Sequence, residues 1–460
     1  MSTAIGAESG TPDASLERVS PRRLVSLYRQ GGPLHALESI GRAAEGAVAR
    51  IDLGPFRPYL VTDPAHVQHV LRDRADNYER GAVMWKPVSR LVGNGISSEG
   101  TPWRSSREVL AKVFSGQYIG RFTERMAEAI NAAADDLLAR ATREPVDVRR
   151  EMNRLMHRAI SLVFFDDRLP VEDIDRLGTA VSAASGSFMS RMAMPFMPNA
   201  VPMPGDLTFR RATRTVDEIL GPLVAEGRRR PPGGHDVVSK LIEAREADGT
   251  PFSDQRVRDD VVGLFVAGTE STADGLTWLW VALDEHPEHA ARVYAEIERE
   301  VGDGRAGPEH VRRLPYTQMF LQEVLRLHSV GWAVPRMAVA DDVIGGVPIK
   351  AGSTVVLSPY LTHRDRRVWE RPEEFDPERF TPERVKERVQ RYGRFAYFPF
   401  GAGEHVCLGE QLFKIETTLI MASLLGRARP VLHRSEPIEP KLTLTVRPSR
   451  PVELMLAARS

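Results

Sequence analysis

Residues 400–409 read FGAGEHVCLG, and Cys407 within them is the only cysteine among 460 residues. A cysteine just ahead of a helical run has its sulfur near unpaired backbone N–H groups and the positive end of the helix dipole, an arrangement that favours thiolate. Gly401, Gly403 and Gly409 let the backbone approach a flat ligand and donate N–H groups to the sulfur. A thiolate held in this way suits a metal ligand that leaves other positions on the metal open. Two other readings share the same residues: an ordinary buried cysteine beside turn glycines, and a nucleophilic thiol served by His405. The nucleophile is poorly placed, because a thiol hydrolase takes its histidine from a distant part of the chain held opposite the sulfur.

The composition is that of a soluble globular chain, with 42% hydrophobic and 27% charged residues. Lys plus Arg equals Asp plus Glu, 62 each, so no global field favours nucleic acid or an anionic membrane. One cysteine excludes an intrachain disulfide and any multi-cysteine zinc or iron–sulfur site. Residues 1–20 lack an apolar leader. The longest apolar stretch, Val261 to Leu283, carries Glu270 and Asp274 near its centre, so it reads as a buried helix and not as a membrane anchor. The expectation is a cytoplasmic protein.

Along the chain, 1–20 reads as a flexible segment and 21–460 as a single domain, mainly α with a smaller β portion. VARIDLGPFRPYLVTD (48–63) reads as two β runs about a Gly-Pro turn, followed by helical periodicity at 64–73. Helical pattern dominates from about 101 to 325. Within it, Ser253 is a plausible N-cap for a helix that stops before Pro287, roughly 45 Å long and able to cross a whole domain. After 335 come short strands and Pro-rich loops, then the cysteine loop, a helix over about 408–425, and terminal β runs.

FGAGEHVCLG resembles the haem-binding loop F-G-x-G-x-[RH]-x-C-x-G of the cytochrome P-450 family, the haem-thiolate monooxygenases, in its soluble bacterial type. The resemblance implies haem b with Cys407 as the axial ligand and a long central helix lying over the haem. It extends over roughly residues 45–455. E-x-x-R recurs along the chain, at Glu151, Glu226 and Glu309 among others, and alone means little, since i,i+3 ion pairs are common on solvated helix faces. Glu323-Val-Leu-Arg326 is different, because it lies 84 residues before Cys407 and precedes FDPERF (375–380). The family pattern implies a buried structural triad of Glu323, Arg326 and Arg379; the chance copies, Glu151 included, are expected to be mild positions.

AGTEST (267–272) interrupts the apolar central helix. A hydroxyl at Ser271 can bond the carbonyl of Ala267 and, with Gly268, open a local groove. The family pattern implies that Glu270 and the alcohol after it relay protons; here the alcohol is serine and not threonine, which keeps donor and acceptor but loses the methyl that fixes the rotamer. Trp103 and Arg107 stand at i,i+4 in PWRSSREVLAKVFS (102–115), and with Arg336 and His405 they match haem-propionate partners. Phe413 stands where the family usually has alanine.

The implied activity is insertion of one oxygen atom from O2 into a C–H bond of a hydrophobic small molecule, a terpenoid or polyketide of secondary metabolism. Its apolar contacts are expected from 81–93, from the methionine-rich 188–203 and from Val330 to Val334 with Trp332. With no flavin or ferredoxin module in the sequence, electrons are expected from separate partners of the ferredoxin and ferredoxin reductase type. They would dock on a basic face that includes Arg104, Arg391, Arg394 and Lys414. Two alternatives remain at this point: a peroxide-driven or oxidative-coupling enzyme of the same fold, and a non-catalytic haem-binding or sensor protein. The presence of Glu270 and Ser271 argues against the last.

Overall fold

The computed structural model describes residues 16–458, except 55, 82–84, 188–189, 192–193, 195–196, 303 and 434–435. The central helix runs Asp254–Glu285, 32 residues, with the Ser253 hydroxyl accepting from the Arg256 N–H (3.2 Å) at its start. It ends at His286, ahead of Pro287, as the cap and breaker residues predict. Its second half, Thr272 to Leu283, is buried on every face, as an apolar surface all round requires. Helices Val148–Phe165 and Glu410–Leu425 pack against it, and Gly116–Ala141 packs on both of them, to form the large core. Among the described residues no helix is long and apolar enough to cross a membrane.

A smaller core lies under a mixed six-stranded sheet. Its order is Glu17–Val19, Ala49–Ile51, Tyr59–Val61, Thr354–Leu357, Val334–Ala338 and Tyr78–Glu79. The first strand is a correction: Glu17–Val19 fall inside the segment expected to be flexible, yet they pair in parallel with Ala49–Ile51, and Val19 is fully buried. Residues 1–15 lie outside the described residues. The last pair matters for the site. Tyr78 and Glu79 oppose Ala338 and Met337, so the same antiparallel register continued by one residue sets Arg80 against Arg336.

The methionine-rich stretch departs from expectation. The Arg191 guanidinium gathers it by binding the Asp206 carboxylate (2.9 and 2.6 Å) and the Val201 carbonyl (2.9 Å). Met194 and Met197 are then exposed, 48% and 37%, and Met203 is buried. Phe188, Met189, Met192, Ala193, Pro195 and Phe196 lie outside the described residues, as do 82–84 of the other apolar segment.

Candidate functional site

The cysteine loop is closed by its own backbone. The Cys407 N–H donates to the Phe400 carbonyl (2.9 Å), Gly401 N–H to Phe398 (3.0 Å) and Val406 N–H to Gly403 (3.1 Å). Gly401 and Gly403 sit at φ 70° and 71°, the left-handed region, and a Cβ on Gly403 would collide with the Leu71 carbonyl. Gly409 is different: its φ of −80° suits any residue, and its contribution is a backbone N–H toward the sulfur, at the start of Glu410–Leu425.

Cys407 is accessible although protein surrounds it on most sides, which describes a side chain on the floor of a recess. Burial raises the thiol above its usual range, while the Gly409 and Glu410 N–H groups and the Arg107 charge pull it down. The helix terminus alone therefore does not lower the thiol, contrary to the expectation from the sequence; a metal cation bound at the sulfur would supply the missing charge stabilisation.

Above the loop the fold gathers cations. Arg107, on Gly100–Val113, donates to the Val406 carbonyl (2.8 Å). The Trp103 and His405 rings lie 4.0 Å apart, and His405 Nε2 is 3.3 Å from the Glu99 carboxylate. Arg336 is buried on its strand. Arg80, which the sequence reading missed, lies half-buried beside Arg336, bound through its side chain to the Ile96 carbonyl (2.8 Å) and through its backbone N–H to Glu99 (2.8 Å). Burial lowers both Arg80 and Arg336 to about 10. Burial would raise Glu99, but the His405 ring and the Arg80 and Gly100 N–H groups bring it to about 2.

Arg80 and Arg336 thus share the field of one carboxylate, Glu99, and two buried ring nitrogens, Trp103 Nε1 and His405 Nδ1, have no hydrogen-bond partner among the described residues. Uncompensated buried cations and unbonded donors are costly unless an anion meets them. The propionates of haem b are such anions, and the residues fit the group. No local signal marks Arg80 in the sequence; only strand register places it here.

On the central helix, Ala267 is exposed and Val266, Gly268, Glu270 and Ser271 are partly accessible, while most of the helix is buried. Ser271 Oγ donates to the Ala267 carbonyl (2.5 Å), as expected, and the helix continues through this point. Glu270 does not face Ser271. Its carboxyl sits among Arg149, Asp274, Ser182 and Arg447, and burial, reinforced by Asp274, raises it to about 7. Asp274 is itself fully buried, held by Arg149 Nε (2.6 Å) and the Thr445 hydroxyl (2.6 Å).

The triad forms as expected. Arg326 clasps Glu323 through Nε (2.7 Å) and a terminal nitrogen (2.8 Å), with neither side chain exposed, and Arg379 Nε lies 3.4 Å from Glu323. Arg326 also binds the carbonyls of His363 (2.9 Å), Pro372 (2.7 Å) and Glu374 (3.0 Å). The supposed chance copy at Glu151 is corrected: it is buried and takes Arg140 in a bidentate pair (2.7 and 2.6 Å), with Arg154 at 3.8 Å. Phe413 packs on Phe400 (5.4 Å) and against Gly275 of the central helix. Of the four basic docking residues, Arg104, Arg391 and Arg394 are exposed, and Lys414 is engaged by Glu410 (2.7 Å).

Comparison with known proteins agrees with this geometry. The family model described as Cytochrome P450 matches residues 25–456. The chain is 30% identical to cyclooctatin synthase of Streptomyces melanosporofaciens, over 91% of this chain and 90% of that one. It is 32% identical to cyclooctat-9-en-7-ol 5-monooxygenase of the same organism, over 88% and 86%. Pentalenene oxygenase of Streptomyces avermitilis is 28% identical over 93% of each chain. The crystal structure of the cytochrome P450DA heme domain superposes with a TM-score of 0.84 at 25% identity, covering 97% of this chain and 98% of that one. The chain belongs to the cytochrome P450 family of haem-thiolate monooxygenases, with haem b and a cysteine axial ligand as its cofactor arrangement.

Proposed function

We propose that the enzyme oxygenates a C–H bond of a hydrophobic terpenoid, with Cys407 Sγ as the axial ligand. The observation that carries the assignment is the lone cysteine on the floor of a recess whose rim holds Arg80, Arg107, Arg336 and two unbonded ring nitrogens. Haem held by thiolate, when bound, supplies O–O cleavage through electron push from sulfur. The rest falls to the chain. Trp103 Nε1 and the three arginines orient the propionates through charge-assisted hydrogen bonds, and His405 Nδ1 joins them when the ring, whose Nε2 faces Glu99, is protonated. Glu270, at about 7, holds a proton that is available at neutral pH, and it must swing from Ser182 toward Ser271 to pass that proton on. Ser271 Oγ receives it by rotating off the Ala267 carbonyl. Glu323, Arg326 and Arg379 hold the loop and take no part in chemistry.

The terpenoid class is supported by the names of the relatives and by the apolar segment Val330–Val334, where the Trp332 indole is fixed by the Thr443 carbonyl (3.0 Å). Electrons come from separate partners, which we assign to the ferredoxin and ferredoxin reductase type in the cytoplasm. Exposed Arg104, Arg391 and Arg394 around the loop suit an acidic partner. Reduced protein under carbon monoxide should show the strongly red-shifted Soret band of a thiolate complex, and Cys407→Ala should lose it; survival of the band in that variant overturns the ligand assignment. Spectral titration with a panel of cyclic terpenes and macrolactones tests the substrate class, and tight binding confined to macrolactones would replace the terpenoid.

A further inference from the structure

On the surface between the start of helix Val148–Phe165 and the hairpin Pro440–Leu442/Val446–Pro448 is a cavity of about 220 Å³, lined among others by Arg149, Thr277, Lys441, Arg447, Ser449 and Arg450. Its charge pattern has no structural justification of its own. Lys441 and Arg447 are directly opposite across the hairpin, a like-charge pair that costs stability. Neither has a carboxylate within ion-pair distance among the described residues, whereas Arg149 is paired with Asp274 (2.6 Å) and Arg450 with Glu436 (2.9 Å). The one acid in the lining, Asp147, caps its helix through the Arg150 N–H (2.8 Å) and directs its charge to Arg149. The other acid in Arg447's field, Glu270, lies on the central helix with its carboxyl raised to about 7, so it offers only part of a negative charge at pH 7. Two cations without an ion-pair partner among the described residues therefore converge on a concave site that already holds two more guanidinium groups and the Ser449 hydroxyl.

We propose that this cavity binds a small, multiply charged oxyanion of the phosphate class. Forked guanidinium groups match tetrahedral oxyanions geometrically, and the anion relieves the Lys441–Arg447 opposition. It also braces the hairpin, whose Thr445 and Val446 are bonded to the central helix through Asp274 (2.6 Å) and Trp278 (3.0 Å).

The test is calorimetric titration of the haem-loaded enzyme with inorganic diphosphate and with inorganic phosphate, at constant ionic strength held by chloride. One saturable site is expected, weakened at least tenfold in Lys441→Gln and in Arg447→Gln and unchanged in Arg211→Gln, an exposed arginine elsewhere. The carbon monoxide spectrum of each variant reports that it is folded around haem. Absence of saturation, equal binding by wild type and both hairpin variants, or a thermal shift that chloride reproduces would each overturn the site. Sedimentation with phosphatidic acid vesicles that free diphosphate does not compete away would place the phosphate on a lipid and overturn the free-anion proposal.

Discussion

His363 Nε2 accepts the Phe398 N–H at 3.0 Å, two residues ahead of the cysteine loop. The same histidine offers its carbonyl to Arg326 (2.9 Å), and its Nδ1 meets the Ser329 hydroxyl (2.9 Å). One fully buried ring thus couples the Glu323–Arg326 pair to the segment that presents Cys407. His363→Ala is expected to leave the Phe398 N–H unbonded, at a cost of about 1–3 kcal/mol. The result should be lower haem retention and a partial shift of the carbon monoxide complex toward a non-thiolate band, read on purified protein.

Replacing Glu323 with alanine leaves Arg326 buried without its carboxylate, at a cost on the order of 3–5 kcal/mol. Glu151→Ala is expected to cost less, about 1.5–3 kcal/mol, because its partner Arg140 is 38% exposed and can turn to water. Glu226→Ala, whose pair with Arg230 is solvated, should not register. Denaturant midpoints in that rank order are the outcome; Glu323→Ala that folds, keeps haem and is merely slow would move the pair into the active site.

Glu270 is protonated below about 7 and ionised above it in the folded enzyme. If it supplies protons, the fraction of electrons ending in product falls as pH rises through 7, and peroxide rises to match. Glu270→Gln should flatten that profile and reduce productive turnover by about 10²–10⁴-fold with haem binding intact. Ser271→Ala should uncouple as well, and Ser271→Thr should restore coupling. A wild-type profile that stays level from pH 6 to 8 excludes Glu270 as the donor.

Arg80→Leu should weaken haem binding about 10–100-fold, the scale of one charge-assisted hydrogen bond. Haem transfer to an acceptor globin measures it. Arg211→Leu, on an exposed helix face, serves as the control.

Buried Glu416 has no hydrogen-bond partner for Oε1 among the described residues, and burial holds its carboxyl well above 4.5. Being raised in the fold, it is ionised more readily unfolded, so it takes stability away as pH rises above 4.5. Glu416→Leu should raise stability by about 1–3 kcal/mol at pH 8 and by less at pH 5. The opposite window belongs to His157, lowered to about 4 by burial, and to His328 and His363, which burial holds well below 6.5: native stability falls as pH drops below 6.5.

Much of the site was legible in one dimension because its chemistry is written in short spacings. The loop around Cys407, the cap at Ser253, the Ser271–Ala267 bond and the Glu323–Arg326 pair each join residues within seven positions of one another. Such contacts follow from local backbone geometry, so residue type and spacing determine them. The tertiary structure decided the rest. It opposed Arg80 to Arg336 by strand register and surrounded Glu270 with Asp274, Arg149 and Arg447. It also buried Glu151 against Arg140, where an identical pattern had suggested a surface pair. Charge state and burial are sums over neighbours from distant parts of the chain, and the desolvation that sets them exists only once those neighbours have packed.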